Sequence, residues 1–220
     1  MNYYPAIDAI LVLAILLNLC MLASSRLATC IRLFAFQSLL LALLPLGGEV
    51  ALGESPSLHA YLVTGGAIGL KVILIPYVLM RILRSGEVHK EVEPFIGFTG
   101  SVLMGALTVV ASFAMSSRLS LPAPPISDLI LPAALSTIFI GLLTLVTRVK
   151  AITQVIGYLV LENGIFVFGL MLLRQTPLLV ELGILLDLFV GVFIMAIIVY
   201  HIRREFDHID THHLDGLEEV

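Results

Sequence analysis

Apolar runs of about twenty residues recur along this chain with only short polar breaks, and no other feature constrains its fold as much. A helix rises 1.5 Å per residue, so about 20 residues cross a hydrocarbon core about 30 Å thick. Seven segments satisfy that ruler, near 5–24, 29–47, 59–80, 95–116, 127–147, 152–173 and 178–200. The breaks include Ser24-Ser25-Arg26, Gly53-Glu54-Ser55-Pro56, Arg84 to Pro94, Arg118 to Asp128, Thr147 to Lys150 and Arg174 to Pro177. Composition agrees. Of 220 residues, 59% are hydrophobic and 13% charged, against roughly 25% charged in a soluble domain. Such a chain cannot cover itself with a wetted surface, so its solvent is lipid. The expected fold is an all-α, polytopic transmembrane bundle of about seven helices.

The basic residues set the expected topology. Alternate connections carry Arg26 and Arg32, then Arg81, Arg84 and Lys90, then Arg148 and Lys150, then Arg203 and Arg204. The opposite side has only Arg118 and Arg174. The positive-inside rule makes the richer side cytoplasmic, with the N-terminus outside and the C-terminus inside. The first run lacks a basic flank and carries Asp8, so a cleaved signal peptide is not expected.

An internal repeat is also legible. Helices one to three and five to seven share a plan: a helix running inward, a basic loop, then a helix with a central amide or carboxylate. A third helix with a central charge completes each unit, followed by RILR at 81–84 or HIRR at 201–204. The chain divides accordingly into an N-terminal three-helix unit at 1–94 and a linker helix and loop at 95–126. A C-terminal three-helix unit follows at 127–204, then a cytoplasmic tail at 205–220.

Three charges stand where a bilayer tolerates them least. Lys71, Glu162 and Asp187 lie about twelve, eleven and nine residues into their helices, roughly 14–18 Å deep. Each costs about 2.5–3.5 kcal/mol at a helix centre, so such groups normally face protein or water and mark ion paths, proton relays or ion pairs. A static Lys–carboxylate pair that only fixes packing is the plainer reading. Further features favour a polar axis. Gly183, Asp187 and Gly191 share one face of helix seven, leaving room for close approach or water. Gln154, Tyr158 and Glu162 form a polar stripe on helix six, Asn163 sits beside the acid, and Gln37 places an amide in helix two. Pro76 frees the carbonyl of Val72 and is expected to kink helix three beside Lys71. Glu181, three residues into helix seven, reads equally as a proton port or a snorkelling interfacial acid.

Soluble catalytic signatures are missing from the sequence: no phosphate-cradling glycine loop, CxxC or HExxH. No cofactor or metal is expected in this chain, and any redox chemistry falls to partners. Cys20 and Cys30 read as two buried thiols. His201, His208, His212 and His213 fit no closed metal site and read as part of a solvated tail.

The segments TRVKAITQVIGYLVLENGIFVFGL and TPLLVELGILLDLFVGVFIMAII resemble the C-terminal part of the hydrogenase-4 component E family. FAFQSLLLAL around Gln37, LKVILIPYVLMR around Lys71 and the tail near Asp210 to Leu217 extend the similarity over nearly the whole chain. That family is the membrane subunit of group 4 nickel–iron hydrogenases and formate hydrogenlyase-type complexes. The last three helices are also similar to the K-type small subunit of complex I and the C-type subunit of cation/proton antiporters. The resemblance implies that Glu162 and Asp187 belong to a proton path, with Asp187 standing where Glu is more usual and so reaching less far. It implies partners too: antiporter-like and quinone- or hydrogenase-anchoring membrane subunits, in a bacterial or archaeal cytoplasmic membrane, with no nucleic acid.

The expected function is a non-catalytic membrane-arm subunit of an energy-converting, hydrogenase- or complex I-like oxidoreductase. Lys71, Glu162, Asp187, Gln37, Tyr158, Asn163 and Glu181 would contribute to a proton or sodium path coupling electron transfer to an ion gradient. The alternatives are a subunit of a multi-subunit cation/proton antiporter and a purely structural bridging subunit.

Overall fold

A computed structural model describes residues 4–51, 53, 55–85, 96–119 and 127–172. They belong to the first of two compact units, Met1–Leu179; the second is Val180–Val220. The expected seventh helix, with Glu181 and Asp187, and the histidine-rich tail lie outside the described residues. The elements run α1 Pro5–Ala23, α2 Leu27–Ala42, α3 Leu44–Ala51 and α4 Leu58–Ala67. A π-helical segment, Ile68–Leu74, continues into α5 Ile75–Ser85, followed by α6 Phe98–Ser116, α7 Ile130–Thr147 and α8 Ala151–Leu172. No strand occurs among the described residues.

Six stretches are long and apolar enough to cross a membrane: Pro5–Ala23, Leu27–Ala51, Leu58–Arg84, Phe98–Ser116, Ile130–Thr147 and Ile152–Leu170. They coincide, within a few residues at most ends, with the first six expected spans. Two differ internally, each because of a proline. In the second span α2 stops at Ala42 and α3 starts at Leu44, with Leu43 between them. Pro45 has no N–H for the Leu41 carbonyl and its ring crowds that oxygen. In the third span the expected kink at Pro76 takes the form of the π-segment, whose exit is marked by the Ile75 N–H bonding the Leu70 carbonyl. The wider π-turn relieves the crowding that Pro76 would impose on Val72 in an α-helix.

Among lipid tails the hydrophobic effect does not press helices together, so close packing and polar contacts must. The α7–α8 pair shows how. A Cβ added at Gly164 would lie 2.6 Å from the backbone nitrogen of Ile138 and 3.0 Å from the Ala134 carbonyl oxygen. One added at Gly141 would lie 2.5 Å from the backbone nitrogen of Leu161. Only hydrogen fits at either point. These contacts fix the register of α8, which carries Glu162.

The helix α6 is turned inside out relative to a soluble one. Its buried face consists of Ser101, Gly105 and Ser112, and Gly105 meets Leu22 of α1 so closely that a Cβ would lie 2.4 Å from Leu22 Cδ1. The outward face offers Leu103, Leu107 and Val110, 66–69% exposed. Acyl chains match that surface and water does not. Cys20 shares the outward face of α1 with Leu13 and Leu16, so of the two thiols only Cys30 is buried. The sequence reading had buried both, since an apolar run alone does not distinguish a lipid-facing side from a protein-facing one.

Polar contacts tie the chain near the start of α1 and at the turn into α4. Asp8 near the start of α1 accepts a hydrogen bond from the Ser127 hydroxyl just before α7. Ser57 caps α4 by accepting from the Ala60 N–H at 3.1 Å, and donates its own N–H and hydroxyl to Glu49 at 2.5 and 2.7 Å. The cap satisfies donors that a helix start otherwise leaves open.

Candidate functional site: a buried ion pair in the bundle

Lys71 sits 13 residues beyond Leu58, about 20 Å along a run about 40 Å long at helical rise. Glu162, 11 residues beyond Ala151, lies about 16 Å into α8. Both are thus near mid-span, and they meet. Lys71 Nζ stands 3.0 Å from Glu162 Oε1, with side chains only 6% and 3% exposed. The contact is an ion pair, not an aligned hydrogen bond: Glu162 Oε1 takes no hydrogen bond among the described residues. The π-segment supplies the ammonium, α8 supplies the carboxylate, and α2 packs against both.

The neighbours hold Lys71 in place. Asn163, next to the acid, accepts from Lys71 Nζ at 3.5 Å and donates its amide to Ser38 Oγ on α2 at 2.9 Å. One turn beyond Glu162, the Phe166 ring lies 5.4 Å from Lys71 Nζ, a cation–π distance. Glu162 and Phe166 are spaced i, i+4, so one face of α8 presents an anion and a π-face to the same cation. All of Lys71, Glu162, Asn163 and Ser38 are buried.

A second polar network begins one residue earlier on α2. Gln37 donates its amide to Asn18 Oδ1 at 2.7 Å and to the Ala14 carbonyl at 3.4 Å. Asn18 donates to Thr137 Oγ1 at 2.9 Å, and Thr137 donates to the Ala133 carbonyl at 2.8 Å. Gln37 Oε1 remains a buried acceptor without a partner among the described residues. Adjacent residues of α2 thus serve both groups, Gln37 toward α1 and α7, Ser38 toward α8.

Of the seven residues expected on a polar path, the structure brings together Lys71, Glu162 and Asn163, with Gln37 in the adjoining network. Tyr158 is half-buried one turn before Glu162 and makes no hydrogen bond among the described residues. Glu181 and Asp187 lie outside the described residues. The expected stripe on α8 is shorter than the spacing suggested, because Gln154 donates to the Arg148 carbonyl at 3.0 Å and serves the α7–α8 corner. Sequence reasoning passed over Asn18, Ser38, Thr137 and Phe166. Asn18 did carry a signal: it stands on the Leu11, Ile15, Leu22 face of an otherwise apolar run.

A buried ion pair within a bundle of membrane-spanning helices defines the class: a polytopic α-helical membrane protein with a charged centre inside the bilayer. The chain is 30% identical over 192 residues to the uncharacterised protein Rv0085 of Mycobacterium tuberculosis, covering 86% of this chain and 84% of that one. It belongs to the same family as Rv0085. Hydrogenase-4 component E of Escherichia coli K12 is a more distant relative, 27% identical over 148 residues, 67% of this chain and 68% of its own. The Shigella flexneri hydrogenase-4 component E matches to the same extent. No family model and no solved structure matches the chain.

Proposed function

We propose that this protein is a membrane subunit of a multi-subunit, hydrogenase-type complex, and that its Lys71–Glu162 pair belongs to an ion path coupling electron transfer to a proton or sodium gradient. The kinship with hydrogenase-4 component E supports the first part. The observation that carries the second is the ion pair itself: opposite charges 3.0 Å apart near mid-span, with one carboxylate oxygen still able to accept a hydrogen bond. At an effective dielectric near 20, two charges about 3 Å apart attract by about 5 kcal/mol. A proton delivered to Glu162 removes that attraction and releases Lys71 to seek another anion. Asp187, which the sequence puts at a similar depth, is the natural second acid, with Glu181 at the outer interface. Antiporter-like and quinone- or hydrogenase-anchoring membrane subunits are the natural partners, because the sequence carries none of the familiar motifs for holding an electron carrier.

The test uses the assembled complex carrying Glu162→Gln, and the neutral pair Lys71→Met/Glu162→Gln. Both should co-purify with their companions and transfer electrons, while the ion gradient formed per electron pair falls. Normal pumping would refute the path. Loss of assembly in the neutral-pair variant would instead favour a bridging role. Companions of an antiporter without redox subunits would favour the antiporter reading.

A further inference from the structure

Arg148 is expected in a wetted cytoplasmic loop, yet it is 2% exposed, whereas Arg26, Arg32, Arg81 and Arg84 are all exposed. Its Nη2 donates to the Leu22 carbonyl near the end of α1 at 2.8 Å, and its guanidinium carbon lies 5.6 Å from the Phe98 ring centroid. Its Nη1 is fully buried and has no partner among the described residues. A buried guanidinium donor left unpaired is costly, and native structures seldom leave one so. Beside it is a cavity of about 20 Å³, bounded by Arg148, Thr144 and Ile140 of the α7 end, Thr153, Ile156 and Val160 of α8, and Met21 and Cys30 of α1 and α2. One water requires about 10–15 Å³ and two to four polar partners.

The hydroxyl hydrogens decide what kind of guest fits. Thr144 donates to the Ile140 carbonyl at 2.8 Å and Thr153 to the Lys150 carbonyl at 2.6 Å. The Cys30 thiol is directed to the Met21 carbonyl at 3.8 Å. With those hydrogens engaged, the oxygens of the two lining threonines have only lone pairs to offer a guest, while Arg148 Nη1 has a hydrogen to offer. An anion would meet one donor and two acceptors. A water meets all three correctly, accepting from Arg148 and donating to Thr144 and Thr153.

We infer that this cavity is a binding site for a single ordered water, which accepts a hydrogen bond from Arg148 Nη1 and donates to Thr144 Oγ1 and Thr153 Oγ1. The water completes a junction that ties the ends of α1, α2, α7 and α8 beneath the ion pair. The inference does not depend on the ion path. The direct test is a high-resolution experimental map of the full chain in its complex. It should contain one water within hydrogen-bonding distance of Arg148 Nη1, with no anomalous signal after bromide exchange. The Thr144→Val/Thr153→Val variant should lose that density while keeping the helix positions. An empty cavity in the wild type, a bromide peak, or water persisting in the double variant would each overturn the assignment.

Discussion

Neutralising the two charges of the buried pair one at a time, and then together, gives a sharp thermodynamic expectation. Lys71→Met takes away the cation 3.0 Å from the Glu162 carboxylate, and Glu162→Gln takes that carboxylate away from the Lys71 ammonium. Both groups are nearly inaccessible, at 6% and 3% exposure, so neither can turn to water without disturbing the helices. Removing one member of a buried pair costs about 3–5 kcal/mol because the survivor is stranded. In a chain of this size each kcal/mol moves the melting temperature by about 2–4 °C, so each single variant should melt about 6–20 °C lower. The double variant removes both charges of the pair together. It should return close to the wild type, because well-packed neutral groups often replace a buried ion pair at little cost. The assay is thermal unfolding of the purified chain in one detergent, followed by circular dichroism, for all four corners of the cycle. Additive losses, with the double variant worse than either single one, would refute the pairing.

The other variants act through packing and hydrogen bonding. Gly164→Ala would bring a Cβ within 2.6 Å of the Ile138 backbone nitrogen, forcing α7 and α8 apart. It should lower the melting temperature by about 2–12 °C, the range expected for overpacking by about 1–3 kcal/mol, whereas Gly169→Ala, with open space, should not. Asn18→Leu removes the acceptor 2.7 Å from Gln37, leaving its amide only the 3.4 Å contact to the Ala14 carbonyl, and removes the donor to Thr137, at a cost of about 1–3 kcal/mol. Its melting temperature should recover when Gln37→Leu is added, and a further fall would contradict the network.

Much of this arrangement was legible in the sequence because the bilayer imposes so few solutions. Run length gave six spans to within a few residues at most ends, and the depth of Lys71 and Glu162 followed from counting along their helices. What sequence could not give was azimuth. Nothing in an apolar run tells which face meets lipid, which is why Cys20 was misjudged and Asn18 overlooked. Gln154 and Arg148 were misread for a related reason. Polar residues at a helix end can turn inward to satisfy backbone carbonyls, and hydropathy does not register which carbonyls need a partner. Pro76 did announce a disturbance beside Lys71, but whether a proline yields a kink or a π-turn depends on the neighbours that the helix must reach.

Infrared difference spectroscopy of the turning-over complex interrogates the pair most directly, by following the carboxyl band that Glu162→Gln abolishes. A carboxylate that gains and loses a proton as electrons pass, with the change suppressed in Lys71→Met, is the predicted result. A Glu162 that stays ionised through every state of turnover would contradict it and leave the pair as a fixed strut.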